Sequence, residues 1–299
     1  MTSPRILPLA ALVLACEGRG TPSLPSEAVS PSPCSVPASA DPSHDLEADE
    51  PPIAGESCRL RDQPGFNHYT VAAINDTARW PRNGTNRYCW GDRREPCKSH
   101  WGAIHDANYA GETVIEGGGD CYCSGLTLEL FLHAYGLWQK AHGVPKNALY
   151  EVGGYDLRPG DLQPLSRTGH VFYQLWQGAG FAHEASQAAA FEAFGIGRSL
   201  PKAQWDSALP GDYVNFTRRR GSGHAVVFVR WIVNKGRRVG LRYFSCNSHG
   251  DSCPDPKDPK NASGIPGPSF NTEYFLNDGG WILPDRIIIG RPFLPTTPH

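Results

Sequence analysis

The sequence lacks long apolar runs, zinc-binding motifs and a strong charge imbalance. No apolar stretch reaches the ~18 residues that a membrane-spanning helix needs, so we expect no spanning segment. Neither a Cys-x-x-Cys pair nor a His-Glu-x-x-His motif is present, which argues against a metal site, and no other cofactor is implied. The formal net charge of −2 argues against a nucleic-acid-binding protein.

Glycine, proline and cysteine are abundant instead. The 33 Gly and 27 Pro recur without a period, which is typical of a loop-rich globular protein with an unfolded stretch. Nine cysteines are an odd number, so at least one lies outside any intramolecular disulfide. That cysteine is a candidate for lipidation or for chemistry.

The N-terminus has the layout of a secretory signal. Arg5 is followed by an apolar segment, residues 6–15, that is too short to span a membrane. Ala15-Cys16 resembles a bacterial lipobox and predicts lipidation of Cys16, whereas an ordinary secretion signal with a chance cysteine is the alternative. We therefore expect residues 1–15 to be removed. The mature protein would then lie in the bacterial cell envelope, attached to a membrane through its N-terminal lipid only.

Composition divides the remaining chain into three parts. Residues 16–56 are rich in Pro, Ser and acidic residues and nearly devoid of large apolar side chains, which predicts a disordered tether. Residues 57–116 have few periodic apolar runs and predict an irregular N-terminal subdomain, followed by a catalytic domain at 117–299. Outside the acidic tether the chain is mildly basic, which suits an anionic polymer such as bacterial cell wall.

Residues 117–143 predict a helix that carries a nucleophile. Three glycines precede a pattern that places apolar residues on one face, and Gly143 can cap the helix end. Cys123 falls at the predicted helix N-terminus. There the helix dipole and the terminal N–H groups favour a thiolate and could hold an oxyanion. A nucleophilic cysteine needs such a position.

Residues 209–247 predict three strands that carry a base. A first strand ends in a hairpin loop at residues 218–223, and His224 opens a strongly apolar second strand. A histidine at this place can act as a base toward a cysteine on a neighbouring helix. The third strand ends at Asn247, whose side chain could orient the imidazole, and His249 is the rival for that role.

Three short blocks give the sequence a family resemblance. Cys-Ser-Gly-Leu at residues 123–126, Pro-Gly-Asp at 210–212 and Gly-His-Ala-Val at 223–226 occur in this order. Together they resemble the NlpC-type cell-wall cysteine peptidases, which belong to a papain-like group that includes the CHAP amidases. The resemblance covers about residues 117–250. It implies an α+β fold in which a Cys-bearing helix packs on an antiparallel sheet.

The same resemblance implies hydrolysis of amide bonds in peptidoglycan peptides. Cys123 would be the nucleophile, His224 the base and Asn247 the orienting residue. The biological role would be cell-wall remodelling or an antibacterial toxin, the latter with a possible immunity protein as partner. Two other functions stay open: a transglutaminase or deamidase that acts on proteins, and a catalytically inactive lipoprotein that only binds cell wall.

The chain departs from the family pattern just before the nucleophile. The family usually has Asp directly before Cys-Ser-Gly, whereas here Asp120 precedes Cys121. Cys121 is therefore an alternative nucleophile, although Ser-Gly-Leu follows Cys123 directly. Asp120, Tyr122 and Ser124 are the expected substrate-binding residues.

Most of the remaining cysteines are expected to form disulfides, as in other exported proteins. The plausible local pairs, each bracketing a short loop, are Cys89–Cys97 and Cys246–Cys253. Cys58–Cys121 is a possible third pair. Cys34, in the predicted tether, is then left over.

Overall fold

The computed structural model describes residues 60–81, 85–89, 97–98, 101–152, 155–162, 172–177, 186–247 and 267–296. The predicted signal peptide and tether lie outside these residues. So do the individual predictions for Cys16, Cys34, Cys58, His249 and Cys253. Within the described ranges, no helix combines the length and the apolar character needed to cross a membrane.

The fold is α+β, as predicted. The helices are α1 (Asn67–Ile74), α2 (Cys123–His142), α3 (Pro159–Leu162), α4 (Phe172–Trp176) and α5 (Gln187–Ala193), with 3-10 helices at Lys202–Ser207 and Leu276–Asp278. The first five strands are β1 (Ala107–Tyr109), β2 (Glu112–Ile115), β3 (Tyr150–Val152), β4 (Tyr155–Leu157) and β5 (Gly197–Leu200). The others are β6 (Tyr213–Arg218), β7 (Gly223–Asn234), β8 (Arg237–Asn247), β9 (Gly267–Tyr274) and β10 (Ile282–Pro292).

One large antiparallel sheet organises the described residues. Its strand order is β5-β10-β6-β7-β8-β9, and β1-β2 and β3-β4 form two small hairpins. In a flat sheet β9 and β10 would lie four strand spacings apart, about 19 Å. A β-bridge nevertheless joins Phe275, just after β9, to Ile282 at the start of β10. The sheet is therefore strongly curled.

The curled sheet has two apolar faces. Successive side chains along a strand point to opposite faces of the sheet. Val227 and Phe244 therefore join the core around α2, whereas their neighbours Val226 and Tyr243 belong to a second apolar cluster. Because both faces are covered, the first seven residues of β7 are all buried. This explains the strongly apolar run that follows His224 in the sequence.

Helix α2 is the centre of the larger core. Leu126, Leu130 and Phe131 of this helix are fully buried, because α1 and the sheet both pack against the helix. The helix ends at Gly143, whose φ of 66° requires the left-handed conformation that glycine adopts without strain.

The stretch predicted as an irregular N-terminal subdomain contributes regular elements to this core. Helix α1 packs on α2, and Phe66, Ile74 and Trp80 lie in the same apolar cluster as the helix. The β1-β2 hairpin adds Ile115 to that cluster. The described part of residues 57–116 therefore shares its core with the helix that carries the predicted nucleophile.

Candidate active site

Cys123 is the first residue of α2, as the sequence predicts. Tyr122 before it has extended backbone (φ −136°, ψ 173°), so the chain enters the helix abruptly at the cysteine. Cys123 is half-buried and is not disulfide-bonded. The first N–H groups of a 20-residue helix therefore lie at the thiol, where they favour negative charge.

The glycine of Cys-Ser-Gly has a packing role. A Cβ atom at Gly125 would lie 2.1 Å from the carbonyl oxygen of Trp101 and 2.4 Å from the carbonyl carbon of Gly102. The first turn of α2 thus rests directly on the backbone of residues 101–102. The ring of Tyr122 also packs directly on Gly102, because a Cβ atom at Gly102 would lie 2.2 Å from Cδ1 of that ring. This close approach fixes the start of the helix.

A long-range disulfide joins the start of α2 to β8. Cys121 and Cys246 are bonded, with Cα atoms 6.0 Å apart, and both are fully buried. The predicted pairs Cys246–Cys253 and Cys58–Cys121 are therefore wrong. The bridge spans 125 residues, so loop length in the sequence could not indicate it. It forms because α2 packs against β8.

The disulfide also distinguishes between the two candidate nucleophiles, Cys121 and Cys123. Cys121 carries no thiol while it is bridged, which leaves Cys123 as the candidate of the two. The predicted local bridge between Cys89 and Cys97 is confirmed, with Cα atoms 5.5 Å apart.

His224 and Asn247 face each other across β7 and β8. The register that pairs Val227 with Phe244 continues to these two residues, and His224 Nε2 lies 3.0 Å from Asn247 Oδ1. Both side chains are buried. The structure therefore brings together the predicted base and the predicted orienting residue.

The neighbours of Asn247 fix where the imidazole carries its proton. Asn247 Nδ2 donates to the carbonyl oxygens of Ser245 (3.0 Å) and Ser269 (3.1 Å) and lies 3.2 Å from Ser269 Oγ. These acceptors hold the amide with its oxygen toward His224, so Nε2–H of His224 is the donor. In the neutral ring, Nδ1 is then the nitrogen that can accept a proton.

His224 is held neutral by its surroundings. Burial among Phe216 and Tyr243, together with the charge of Arg218, lowers the pKa of His224 to about 4, although Glu273 and Asn247 act in the opposite direction. At neutral pH the ring is therefore a base and not an imidazolium.

An ion pair next to His224 was missed by the sequence interpretation. Arg218, expected in a solvated loop, is only a quarter exposed and binds both carboxylate oxygens of Glu273, with Nε 2.7 Å from Oε2. Tyr243 donates its hydroxyl to the same carboxylate. Burial opposes the charge, but Glu273 raises the pKa of Arg218 above its ordinary value, and Tyr243 and Cys123 add smaller contributions. Arg218 is therefore within electrostatic range of both Cys123 and His224.

Tyr173 of α4 is a second neighbour of Cys123 that sequence reasoning missed. Its hydroxyl lies 3.2 Å from the hydroxyl of Tyr122 and 3.3 Å from the carbonyl oxygen of Trp101. Burial raises the pKa of Tyr173 well above its ordinary value, and negative charge on Tyr122 and Cys123 acts in the same direction. The hydroxyl therefore stays protonated, within electrostatic range of Cys123.

The three expected substrate-binding residues make internal contacts. Asp120 is buried, accepts the backbone N–H of Lys98 at 2.8 Å and pairs with Arg87. Tyr122 and Ser124 are also buried, at 4% exposure each. These contacts support the loop before the helix. Substrate binding by the three residues stays a prediction.

The Pro-Gly-Asp block is a structural junction. Asp212 is fully buried and holds Arg291 through both carboxylate oxygens (2.8 and 2.7 Å), Asn67 (2.8 Å) and the backbone N–H of Leu209 (2.8 Å). Gly211 has a φ of 96°, which the turn requires. The block thus ties β6 to β10 and α1.

No protein-family model, curated protein or solved structure matches the chain. Among the described residues, no group of three or more His, Cys, Asp or Glu side chains could hold a metal ion. The candidate site is therefore defined by its own geometry.

Proposed function

We propose that the protein is a cysteine hydrolase of the papain-like NlpC type that cleaves amide bonds in peptidoglycan peptides. The observation that carries the proposal is the hydrogen bond from His224 to Asn247, beside a helix that begins with the thiol of Cys123. Nucleophile, base and orienting amide are the three groups that such a reaction requires.

The proposed reaction begins with proton transfer from Cys123 to Nδ1 of His224. The sulfur then attacks the scissile carbonyl carbon, and the N–H groups at the start of α2 stabilise the negative oxygen. The C–N bond breaks as the imidazolium returns its proton to the leaving amine. In the second half, His224 takes a proton from water and the resulting hydroxide attacks the thioester carbon. The C–S bond then breaks, and the imidazolium returns the proton to the sulfur of Cys123.

The electrostatics of the site favour a mechanism in which the proton of Cys123 moves to His224 as the sulfur attacks. They do not favour a thiolate–imidazolium pair that exists before the substrate binds. A histidine whose pKa is lowered to about 4 does not hold a proton at rest near neutral pH. Arg218, paired with Glu273, supplies a permanent positive group near the sulfur and so favours the thiolate. Asn247 keeps the acceptor nitrogen in place throughout.

The two disulfides among the described residues support an exported protein. Such bonds persist in oxidising compartments, which agrees with the proposed lipoprotein in the bacterial cell envelope. The membrane is then contacted through the lipid on Cys16 only. The same chemistry would serve wall remodelling or a toxin directed at competing bacteria, with an immunity protein as partner in the second case.

Digestion of purified peptidoglycan tests the proposal. We expect the protein to create new amine ends on stem or cross-linking peptides, detected by mass spectrometry, and the Cys123→Ala variant to create none. His224→Gln should lose the same products. Unchanged sugar–peptide fragments would contradict the proposal, and release of ammonia from glutamine-containing proteins would indicate a deamidase or transglutaminase instead.

A further inference from the structure

The tip of the β6–β7 hairpin is an exposed basic surface. Two backbone hydrogen bonds close the turn, from the N–H of Arg218 to the carbonyl oxygen of Ser222 (2.7 Å) and from the N–H of Gly221 to the carbonyl oxygen of Arg218 (2.8 Å). Arg219 and Arg220 lie within this turn, and both are exposed. The turn therefore holds two cations at a fixed place on the surface.

Trp281, directly before β10, supports the hairpin tip. The N–H of Arg219 donates to the carbonyl oxygen of Trp281 at 2.8 Å, and the guanidinium of Arg220 lies over the Trp281 ring, 5.0 Å from its centroid. Stacking on an aromatic ring uses the flat face of a guanidinium and leaves the N–H groups at its edge available. Arg220 is thus ordered before any anion arrives, which lowers the entropic cost of binding.

The charge of the two arginines is not compensated within the part of the chain that the structure describes. Arg218, the first residue of the turn, is paired with Glu273. Neither Arg219 nor Arg220 forms an ion pair with another described residue. The composition of these strands explains the difference, because residues 213–247 contain eight basic residues and no acidic one. The hairpin tip therefore presents free guanidinium donors.

This basic surface lies close to the candidate active site. Arg220 precedes His224 by four residues, so the Cα atoms of the two are at most about 14 Å apart. An extended peptide advances about 3.3 Å per residue. A peptide whose scissile bond lies at His224 can therefore reach the hairpin tip within about four residues.

We propose that Arg219 and Arg220 bind a free carboxylate of the peptide substrate and so select acidic peptides. A carboxylate accepts two parallel N–H bonds from one guanidinium and carries the opposite charge, whereas a carboxamide is neutral. Peptidoglycan peptides offer such groups at their acidic residues and at their C-terminal ends. The inference rests on the proposed function, because it names the group that the same site recognises in its substrate.

Calorimetric titration of the full chain carrying Cys123→Ala, which cannot consume its ligand, tests the inference. The probe is the peptide L-Ala-γ-D-Glu-L-Lys-D-Ala-D-Ala, with both carboxylates either free or amidated. We expect the acidic form to bind saturably and the amidated form to bind at least about tenfold more weakly. Added to this background, Arg219→Gln and Arg220→Gln should each weaken binding of the acidic form about fivefold and leave the amidated form unchanged.

Arg230→Gln is the matched control. It removes one exposed cation from β7, six residues beyond His224, and should leave the affinity for both peptides unchanged. Equal affinity for the two peptides, no binding of either, or the same loss in Arg230→Gln as in the hairpin variants overturns the carboxylate site. A carboxylate preference that persists in both Arg219→Gln and Arg220→Gln also overturns it.

The outcomes separate this inference from the proposed function. Cleavage of peptidoglycan by the parent protein, without a carboxylate preference in the titration, leaves the hydrolase proposal in place and removes this one. A carboxylate preference that depends on the hairpin arginines, without any peptide cleavage, does the reverse.

Discussion

The disulfide between Cys121 and Cys246 leads to a quantitative prediction. We consider the double variant Cys121→Ala/Cys246→Ala, in which alanine adds no polar group to a fully buried site. The bridge closes a loop of 125 residues. In the chain-entropy treatment, such a loop gives about 5 kcal/mol of stability, because the bridge restricts the unfolded chain. For a chain of this size, that loss lowers the melting temperature by roughly 10–20 °C.

The local bridge provides a matched comparison. Cys89–Cys97 closes a loop of only 8 residues, for which the same treatment gives about 2.5 kcal/mol. Thermal unfolding followed by circular dichroism should therefore show that Cys89→Ala/Cys97→Ala loses about half as much stability as the first variant. Equal losses, or a larger loss for the short loop, would refute the reasoning.

A second measurement connects the bridge to the site. The disulfide joins the residue before Asn247 to the segment that leads into Cys123. We expect its removal to slow alkylation of Cys123 by iodoacetamide near neutral pH, under conditions where the variant is folded. The labelled residue is mapped by mass spectrometry. An unchanged rate would mean that packing of α2 alone positions the thiol.

Three further predictions concern single residues. Gly125→Ala should lower the melting temperature, because its Cβ would lie 2.1 Å from the carbonyl oxygen of Trp101. Gly136→Ala in the same helix meets no atom within 4 Å and should raise stability by up to about 1 kcal/mol, so a gain at both positions would contradict the packing argument. Asn247→Ala should lower kcat/KM on peptidoglycan peptides about 100-fold without unfolding the protein, since the imidazole loses its fixed proton position, and retained activity would exclude Asn247 from the orienting role. Finally, the pKa of His224 is about 4 in the folded protein and about 6.5 in the unfolded chain. The unfolded chain therefore binds the proton first as the pH falls. The free energy of unfolding should then decrease by about 3 kcal/mol between pH 6.5 and pH 4. Urea unfolding at pH 7 and pH 4.5 should show a smaller pH dependence in His224→Gln, and identical dependence in both proteins would remove His224 as the cause.

Local pattern in the sequence predicted the elements that hold the proposed catalytic groups. The helix beginning at Cys123 and ending before Gly143 follows from apolar periodicity and a terminal glycine, both of which are local signals. The strand starting near His224 and the strand ending at Asn247 follow from apolar runs bounded by turns. The Cys89–Cys97 bridge was also predictable from local sequence, because the two cysteines bracket a short loop.

The contacts that tune the site could not be predicted in this way. Glu273 lies 55 residues from Arg218 in the chain, and only the curl of the sheet brings the two together. Tyr173 reaches the start of α2 from a short helix that has no motif of its own. Cys121 and Cys246 meet for the same tertiary reason. Patterns in the sequence indicate contacts between residues that are close along the chain. These contacts join residues that are far apart in the sequence and depend on how the helices and strands pack.

The hydrogen bonds of Asn247 make the protonation of His224 depend on strand alignment. Two of the acceptors that orient the amide belong to Ser269 on β9, which pairs with Ser245 on β8. A shift of β9 by one residue would turn the Ser269 side chain to the other face of the sheet. The amide would then be released to rotate, and either nitrogen of the imidazole could carry the proton. The strand at the edge of the sheet thus selects which histidine tautomer the protein contains.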